Sequence, residues 1–265
     1  MYAFKYHRPS SVNDAAALAS KSVDAKLLAG GQSLVQAMKL RLAQPSDLVD
    51  LGSVKDLSGI KVSGSDVTVG AMTRHAEVAA SAEVMKAIPA LAALAGMIGD
   101  PQVRNMGTIG GALANNDPAA DYPAAALGLG ATITTNKRKI AADDFFKGMF
   151  TTALQAGEII TSVSFPVPKR AAYTKFKNPA SRFAIVGVFV AETGGGVRVA
   201  VTGAGPSVFR QADMEKALSA KFTAESAAGV KQKADGLNSD LHASAEYRAH
   251  LVTVMAKRAV AAALQ

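Results

Sequence analysis

At 265 residues the chain is long enough to bury a large core, and the usual domain size of roughly 100–200 residues predicts one large domain or two smaller ones. Apolar residues make up 49% of it and charged residues 19%, which excludes a disordered, collagen-like or coiled-coil chain. There is no cysteine, so disulfides, a thiol nucleophile and cysteine-held zinc or iron–sulfur centres are excluded within this chain, and the net charge of +8 comes from scattered Lys and Arg.

The segment Met1 to Pro9 has neither an apolar core nor a small-residue cleavage site, so no signal peptide is expected and the predicted compartment is the cytoplasm. A strand is predicted near residues 3–6 and a helix over 11–20, opened by Ser11-Val12-Asn13-Asp14. Lys26-Leu27-Leu28-Ala29 reads as a strand running straight into Gly30-Gly31. Leu34, Met38 and Leu42 then recur at helical spacing until Pro45. A further strand is expected at 48–51 and a hairpin from 60–62 to 67–69, with Thr73 as the N-cap of the following helix.

A helix over 84–95 leads into residues 99–111, where no amphipathic pattern survives. A glycine-rich loop is predicted there, of the kind that carries function more often than it stands idle. Residues 122–129 read as a buried helix and 131–135, 139–141 and 159–165 as strands, with Lys137-Arg138-Lys139 at a hairpin tip. The apolar stretches at 87–99 and 122–133 are shorter than the ~20 residues a spanning helix needs and are broken by Pro and Gly, so no transmembrane segment is expected. Pro166 to Arg170 suits a connector. Beyond it come a hairpin over Gly194-Gly195-Gly196 and two helices, the last from about residue 244 with Tyr247, Leu251, Val254 and Met255 on one face.

Two motifs can carry chemistry. In Ala29-Gly30-Gly31-Gln32-Ser33-Leu34 the missing β-carbons let backbone N–H groups approach a phosphate at the positive end of a helix. A plain tight turn remains the alternative. The segment matches neither Gly-x-Gly-x-x-Gly nor a P-loop. In Gly107-Thr108-Ile109-Gly110-Gly111, followed by Asp117-Pro118-Ala119-Ala120-Asp121, Thr108 offers a hydroxyl and Asp121 an acceptor, with surface turns and helix caps as the plainer reading. The four histidines show no metal-ligand spacing, and surface or satisfied structural roles are expected for them. Met38, Met85 and Met255 are expected to fill core gaps. No partner is identifiable for Asp143, Asp144 or Glu158, and no metal site is expected. Scarce aromatics and scattered basic residues argue against nucleic-acid binding.

The two motifs in this order, with Asn105-Met106-Gly107 ahead of the second, Tyr173-Thr174-Lys175-Phe176, and Ser244-Ala245-Glu246-Tyr247-Arg248 near the end, resemble the FAD-binding medium subunit of the xanthine dehydrogenase and aerobic carbon monoxide dehydrogenase family over nearly the whole chain. The resemblance implies an α+β fold: a two-lobed FAD-binding domain of the vanillyl-alcohol oxidase type over 1–168 (lobes about 1–55 and 56–168), then a smaller C-terminal domain over 169–265 with a three-stranded sheet and helices. It implies FAD as cofactor, held by Ala29, Gly30, Gly31, Gln32, Ser33, Leu34, Asn105, Thr108, Gly110, Gly111, Asn115, Asp121 and Lys175, with the Arg182-Phe183 neighbourhood near the flavin ring and no catalytic acid or base. Gln32 departs from the His that many relatives carry there, and Ala112 from the Asn that some carry.

The implied partners are a large molybdenum-cofactor subunit and a small subunit with two [2Fe–2S] clusters, in a dimer of heterotrimers. Electrons would pass through FAD to NAD, a quinone or oxygen. A stand-alone reductase of the UDP-N-acetylenolpyruvoylglucosamine type shares the two-lobed domain and is the alternative; it needs a catalytic Ser or Glu in a substrate domain, which the sequence does not reveal.

Overall fold

The computed structural model describes residues 1–265. It begins with a three-stranded parallel sheet in which Asp47–Asp50 lies between Lys5–His7 and Lys26–Leu28. Parallel neighbours need a crossover, and the Leu34–Lys39 helix supplies it between the last two strands in sequence. Gly30 and Gly31 therefore sit at the carboxyl end of a parallel strand, where open α/β sheets bind their ligands. The helix is shorter than its apolar spacing predicts. It ends at Leu40, Arg41 turns left-handed at φ 61°, and Leu42 is exposed instead of completing the apolar face.

The second sheet is antiparallel, in the order Ile60–Ser63, Asp66–Gly70, Ile160–Pro166, Thr132–Thr135, Lys139–Ala141. Strand alternation buries Val67 and Val69 and leaves Asp66, Thr68 and Gly70 half-covered. Both expected hairpins form here, and Arg138 of the second binds Glu158 through Nε at 2.9 Å. Two of the three residues expected to lack partners are thus paired, since Asp143 also takes Arg198 at 2.7 Å and Arg210 at 3.3 Å; Asp144 has none.

The helix expected over 84–95 is two, Ala82–Ala87 and Pro89–Gly96, because Pro89 can open a helix but not continue one. Thr73 caps nothing: it is buried with its hydroxyl donating to the Gly59 carbonyl, and the His75–Ala80 helix starts instead at Arg74, whose amide donates to Glu77. The stretch 99–111 is mostly helical, not loop. Asp100 accepts from Val103 N at 2.8 Å to open Pro101–Met106, and Thr108 accepts from Gly111 N to open Ile109–Asn115. Tyr122–Leu129 is buried at every position, as an all-round apolar helix must be.

The last sheet runs Arg170–Lys177, Ala184–Thr193, Gly196–Thr202 and then Phe209–Arg210, a short fourth strand beyond the three expected. Three helices rather than two follow: Ala212–Ala220, Ala224–Ala228 and Ala245–Ala263. The last packs Leu251 and Met255 on the sheet but leaves Tyr247 exposed. Met85 is exposed as well, unlike the buried Met38 and Met255. One apolar core joins the second sheet to the last and includes Tyr173 and Phe189 together with Leu127 and Leu129 of the buried helix. At their crossing a β-carbon on Gly128 would lie 2.8 Å from Phe189. No helix is long and apolar enough to cross a membrane.

Candidate functional site

The strand over Lys26–Leu28 delivers the chain into a turn at Gly31, φ 74°, a conformation that costs a residue with a β-carbon about 1 kcal/mol or more. From Ala29 to Leu34 no backbone or side-chain group of the protein accepts a hydrogen bond from any amide N–H. Six successive free donors on a half-covered loop, ending at the N-terminus of a helix, form an anion cradle.

The second glycine segment packs directly against the first. A β-carbon on Gly30 would lie 2.0 Å from the Met106 carbonyl oxygen, and one on Gly111 would lie 3.3 Å from the Ala29 β-carbon. Most of its amides are engaged: Ile109 N donates to Thr73 O, Gly110 N to Ala71 O at 2.8 Å and Gly111 N to the Thr108 hydroxyl, while Thr108 N has no protein acceptor. The two segments are therefore unequal, the first offering a row of donors and the second a close-packed wall with only the Thr108 amide and hydroxyl hydrogens left to give.

Together they open a cleft of about 530 Å³. Ala29, Gly30, Gly31, Gln32, Ser33, Leu34, Thr108, Gly110, Gly111, Asn115 and Asp121 all line it, with Arg182 and Phe183. Asn105 is exposed on the outer face of its helix and does not line it. Neither does Lys175, which stands one layer behind. Its buried Nζ donates to the Asp121 carboxylate and to the Met97 carbonyl, both at 3.0 Å. Tyr173 Oη donates to Asp121 at 2.5 Å. Residues 173 and 175 share one face of a strand, so the last sheet holds Asp121 from behind. Burial pushes the Asp121 carboxyl above its ordinary value, against the pull of Lys175 and Tyr173.

Sequence reasoning missed three lining residues. His75 and Tyr122 have rings 5.2 Å apart, and His75 Nδ1 and Tyr122 Oη are buried without a protein partner. Burial, and then the charge of Arg104, lowers His75 to about 4, so it is a neutral ring at pH 7. It is a cleft residue, not the surface or satisfied one expected. Burial and the neighbouring Asp121 raise the Tyr122 hydroxyl, which stays protonated. Glu158, the third, is ionised: hydrogen bonds from Arg138, Gln155 N and Thr135 hold it at about 2. No local pattern marks these residues, because their neighbours lie far along the chain.

A long, largely apolar cleft with a row of free amides at one end defines a binding protein for a large phosphorylated ligand. The sequence matches the family of the FAD binding domain in molybdopterin dehydrogenase over residues 2–168, and that of the CO dehydrogenase flavoprotein C-terminal domain over 171–263. It is 38% identical over 272 residues to the nicotine 6-hydroxylase medium subunit of Paenarthrobacter nicotinovorans, spanning 97% of this chain and 96% of the relative. To the carbon monoxide dehydrogenase medium chain of Hydrogenophaga pseudoflava it is 36% identical over 277 residues, spanning 98% and 96%. A structure of carbon monoxide dehydrogenase from that organism, lacking the molybdenum–pyranopterin moiety of its cofactor, superposes with a TM-score of 0.90 at 37% identity, covering 99% of this chain and 98% of the other.

The chain belongs to the FAD-binding medium-subunit family of the molybdopterin dehydrogenases, and it is an oxidoreductase subunit with FAD as cofactor. The residues fit that group. The free amides suit a diphosphate, the missing β-carbons of Gly30 and Gly111 keep the junction of the two segments narrow, and two buried polar atoms await partners.

Proposed function

We propose that this chain is the flavin-carrying component of a three-part molybdenum hydroxylase, receiving electrons from a [2Fe–2S] partner and releasing them to an external acceptor. Bound FAD supplies the exchange of one or two electrons on which such a relay depends. The chain's own part is to bind and orient. The amides of Ala29 to Leu34 take the diphosphate, Thr108, Gly110 and Gly111 form the wall against it, and Asn115 and Asp121 fix the remainder, with Asp121 held by Tyr173 and Lys175. Asn105 and Lys175 serve from outside the lining. No residue here acts as a catalytic acid or base.

The division into an FAD-binding unit over 1–168, with lobes about 1–55 and 56–168, and a second unit over 169–265 belongs to the same reading. The extents of the two family matches support it. The second match also weighs against a stand-alone reductase with its own substrate domain. Large molybdenum and small iron–sulfur subunits are the partners proposed, a cytoplasmic setting goes with them, and NAD, a quinone or oxygen is the acceptor.

The row of free amides carries the reading. Its test is the visible spectrum of the purified chain and of its complex, with the released chromophore identified. Stoichiometric FAD, and a flavin-free complex that still accepts electrons from substrate at molybdenum yet no longer passes them on, is the expected result. A chain that takes up no added FAD, or full turnover without flavin, overturns it.

A further inference from the structure

The parts of the fold are not joined alike. Residues 58–168 and 169–265 share an apolar core and are also bolted together by polar bonds. Lys175 and Tyr173 bind Asp121, Arg198 and Arg210 bind Asp143, and the Thr202 hydroxyl donates to the Ala120 carbonyl at 2.7 Å. Gly203 N donates to Pro118 O at 2.8 Å. They form one body.

The N-terminal lobe has no such ties. No hydrogen bond or ion pair joins residues 1–53 to residues 58–265. The strands Lys5–His7, Lys26–Leu28 and Asp47–Asp50 pair only with one another, and the lobe's one ion pair, His7 with Asp47, is internal. What meets across the seam is apolar or in van der Waals contact. The small core of Ala15, Val49, Leu51 and Val54 takes in Ile159, Gly30 abuts the Met106 carbonyl, and Ser20 abuts Gly157. Such contacts are non-directional, and a small apolar seam opens more readily than a network of buried polar bonds.

The connector suits a hinge. Leu57 is fixed to the body, its carbonyl accepting from Met72 N at 2.7 Å, while Leu51 belongs to the lobe's core. Between them run two single 3-10 turns, Leu51–Ser53 and Lys55–Leu57, which meet at Val54. Val54 has φ −85° and ψ 88°, neither helical nor extended, so regular structure breaks at that residue. Hinges are a few such positions at the ends of elements, where a change of φ and ψ disturbs little else.

The cleft opens along this seam. Lys26, Leu27, Leu51 and the free amides of residues 29–34 line it from the lobe, with Thr108 and Asp121 facing them from the body. We propose that residues 1–53 swing as a rigid lobe about Val54, and that bound FAD is the polar tie that holds the lobe shut, its diphosphate on the lobe's amides and its remainder on the body. The hinge stands on the chain alone and goes beyond the relay of electrons; the tie rests on the cradle's taking FAD.

Because the chain has no cysteine, two introduced ones are the only sites open to a thiol-reactive spin label. Val23, 98% exposed on the lobe, and Leu241, 90% exposed on the body, are replaced together as Val23→Cys with Leu241→Cys. Met85→Cys with Leu241→Cys, both exposed on the body, is the control. Label-to-label distances in the full chain are measured by double electron–electron resonance, with and without FAD, and FAD uptake is measured separately. In the free chain the lobe pair is expected to be longer, or about twice as broad, as in the loaded one, while the control pair is narrow and the same in both. A lobe distance unchanged by bound FAD, or a control that changes as much, overturns the proposal. If the chain takes up no FAD, the free lobe pair decides. Broader than the control, it upholds the hinge and refutes the cradle as its tie; as narrow as the control, it overturns both.

Discussion

Gly30 packs face to face with the peptide linking Met106 and Gly107, so that a β-carbon at position 30 would lie 2.0 Å from the Met106 carbonyl oxygen and 2.8 Å from the Gly107 α-carbon. The obstacle is backbone on both counts and cannot swing away as a side-chain tip would. Gly30→Ala is therefore expected to separate the two glycine segments, lowering stability by about 1–3 kcal/mol as overpacking does. FAD affinity should fall at least tenfold. Thermal denaturation and flavin titration check this; an alanine variant that keeps both values would mean that the segments are not held this tightly.

Lys175 and Asp121 form a buried ion pair, with Lys175 2% and Asp121 4% side-chain exposed. Removing one member leaves the other unpaired, at a typical loss of about 3–5 kcal/mol. Lys175→Met should thus destabilise the chain strongly at pH 7. Without Lys175 the Asp121 carboxyl rises further above its unfolded value, so the folded state holds the proton more tightly than the unfolded one. The loss should then shrink as pH is lowered. Adding Asp121→Asn should restore much of the stability, since a neutral amide replaces the stranded charge. Denaturant unfolding of the parent and the two variants across pH decides it, and a double variant no better than Lys175→Met counts against the pair.

How much of this was legible in the sequence depends on the distance over which each signal acts. The strand, glycine pair and helix at 26–39 could be read because periodicity and glycine chemistry act within a few residues, and the buried helix at Tyr122–Leu129 because it is apolar all round. The helices within 99–111 were missed although their caps, Asp100 before Pro101 and Thr108 three residues before Gly111, stand in the sequence. Each helix is too short to show a period. Glu158 with Arg138, Asp143 with Arg198, and His75 beside Tyr122 are joined only by the tertiary fold, and no local pattern announces them.

Glu158 has a fully buried side chain and accepts from Arg138, Thr135 and the Gln155 amide. These bonds hold its folded value at about 2, below an ordinary 4.5, so its contribution is complete above about 4.5 and is lost as pH falls from there towards 2. Hydrogen bonds to charged groups contribute about 1.5–3 kcal/mol. Glu158→Gln should lose stability of that order at pH 7 and converge on the parent chain in acid. Unfolding curves at pH 7 and pH 3 test it, and an equal loss at both would show that packing, not charge, is what the substitution removes.

His75 works in the same direction through the opposite charge. Burial, reinforced by Arg104, sets its folded value at about 4 against an ordinary 6.5, so the unfolded chain takes up a proton between those limits while the folded chain resists it. Stability from this group is complete above about 6.5 and drains as pH falls towards 4. At about 1.4 kcal/mol per pH unit, the full window is worth up to about 3 kcal/mol. His75→Phe keeps a ring beside Tyr122 and removes the titration, and it also removes the unpaired Nδ1. Its stability should therefore fall less steeply than the parent's between pH 6.5 and 4. The difference between the two curves cancels the other three histidines, which both chains share. Parallel curves would place the His75 ring in contact with water, and its neutral state would then need another cause.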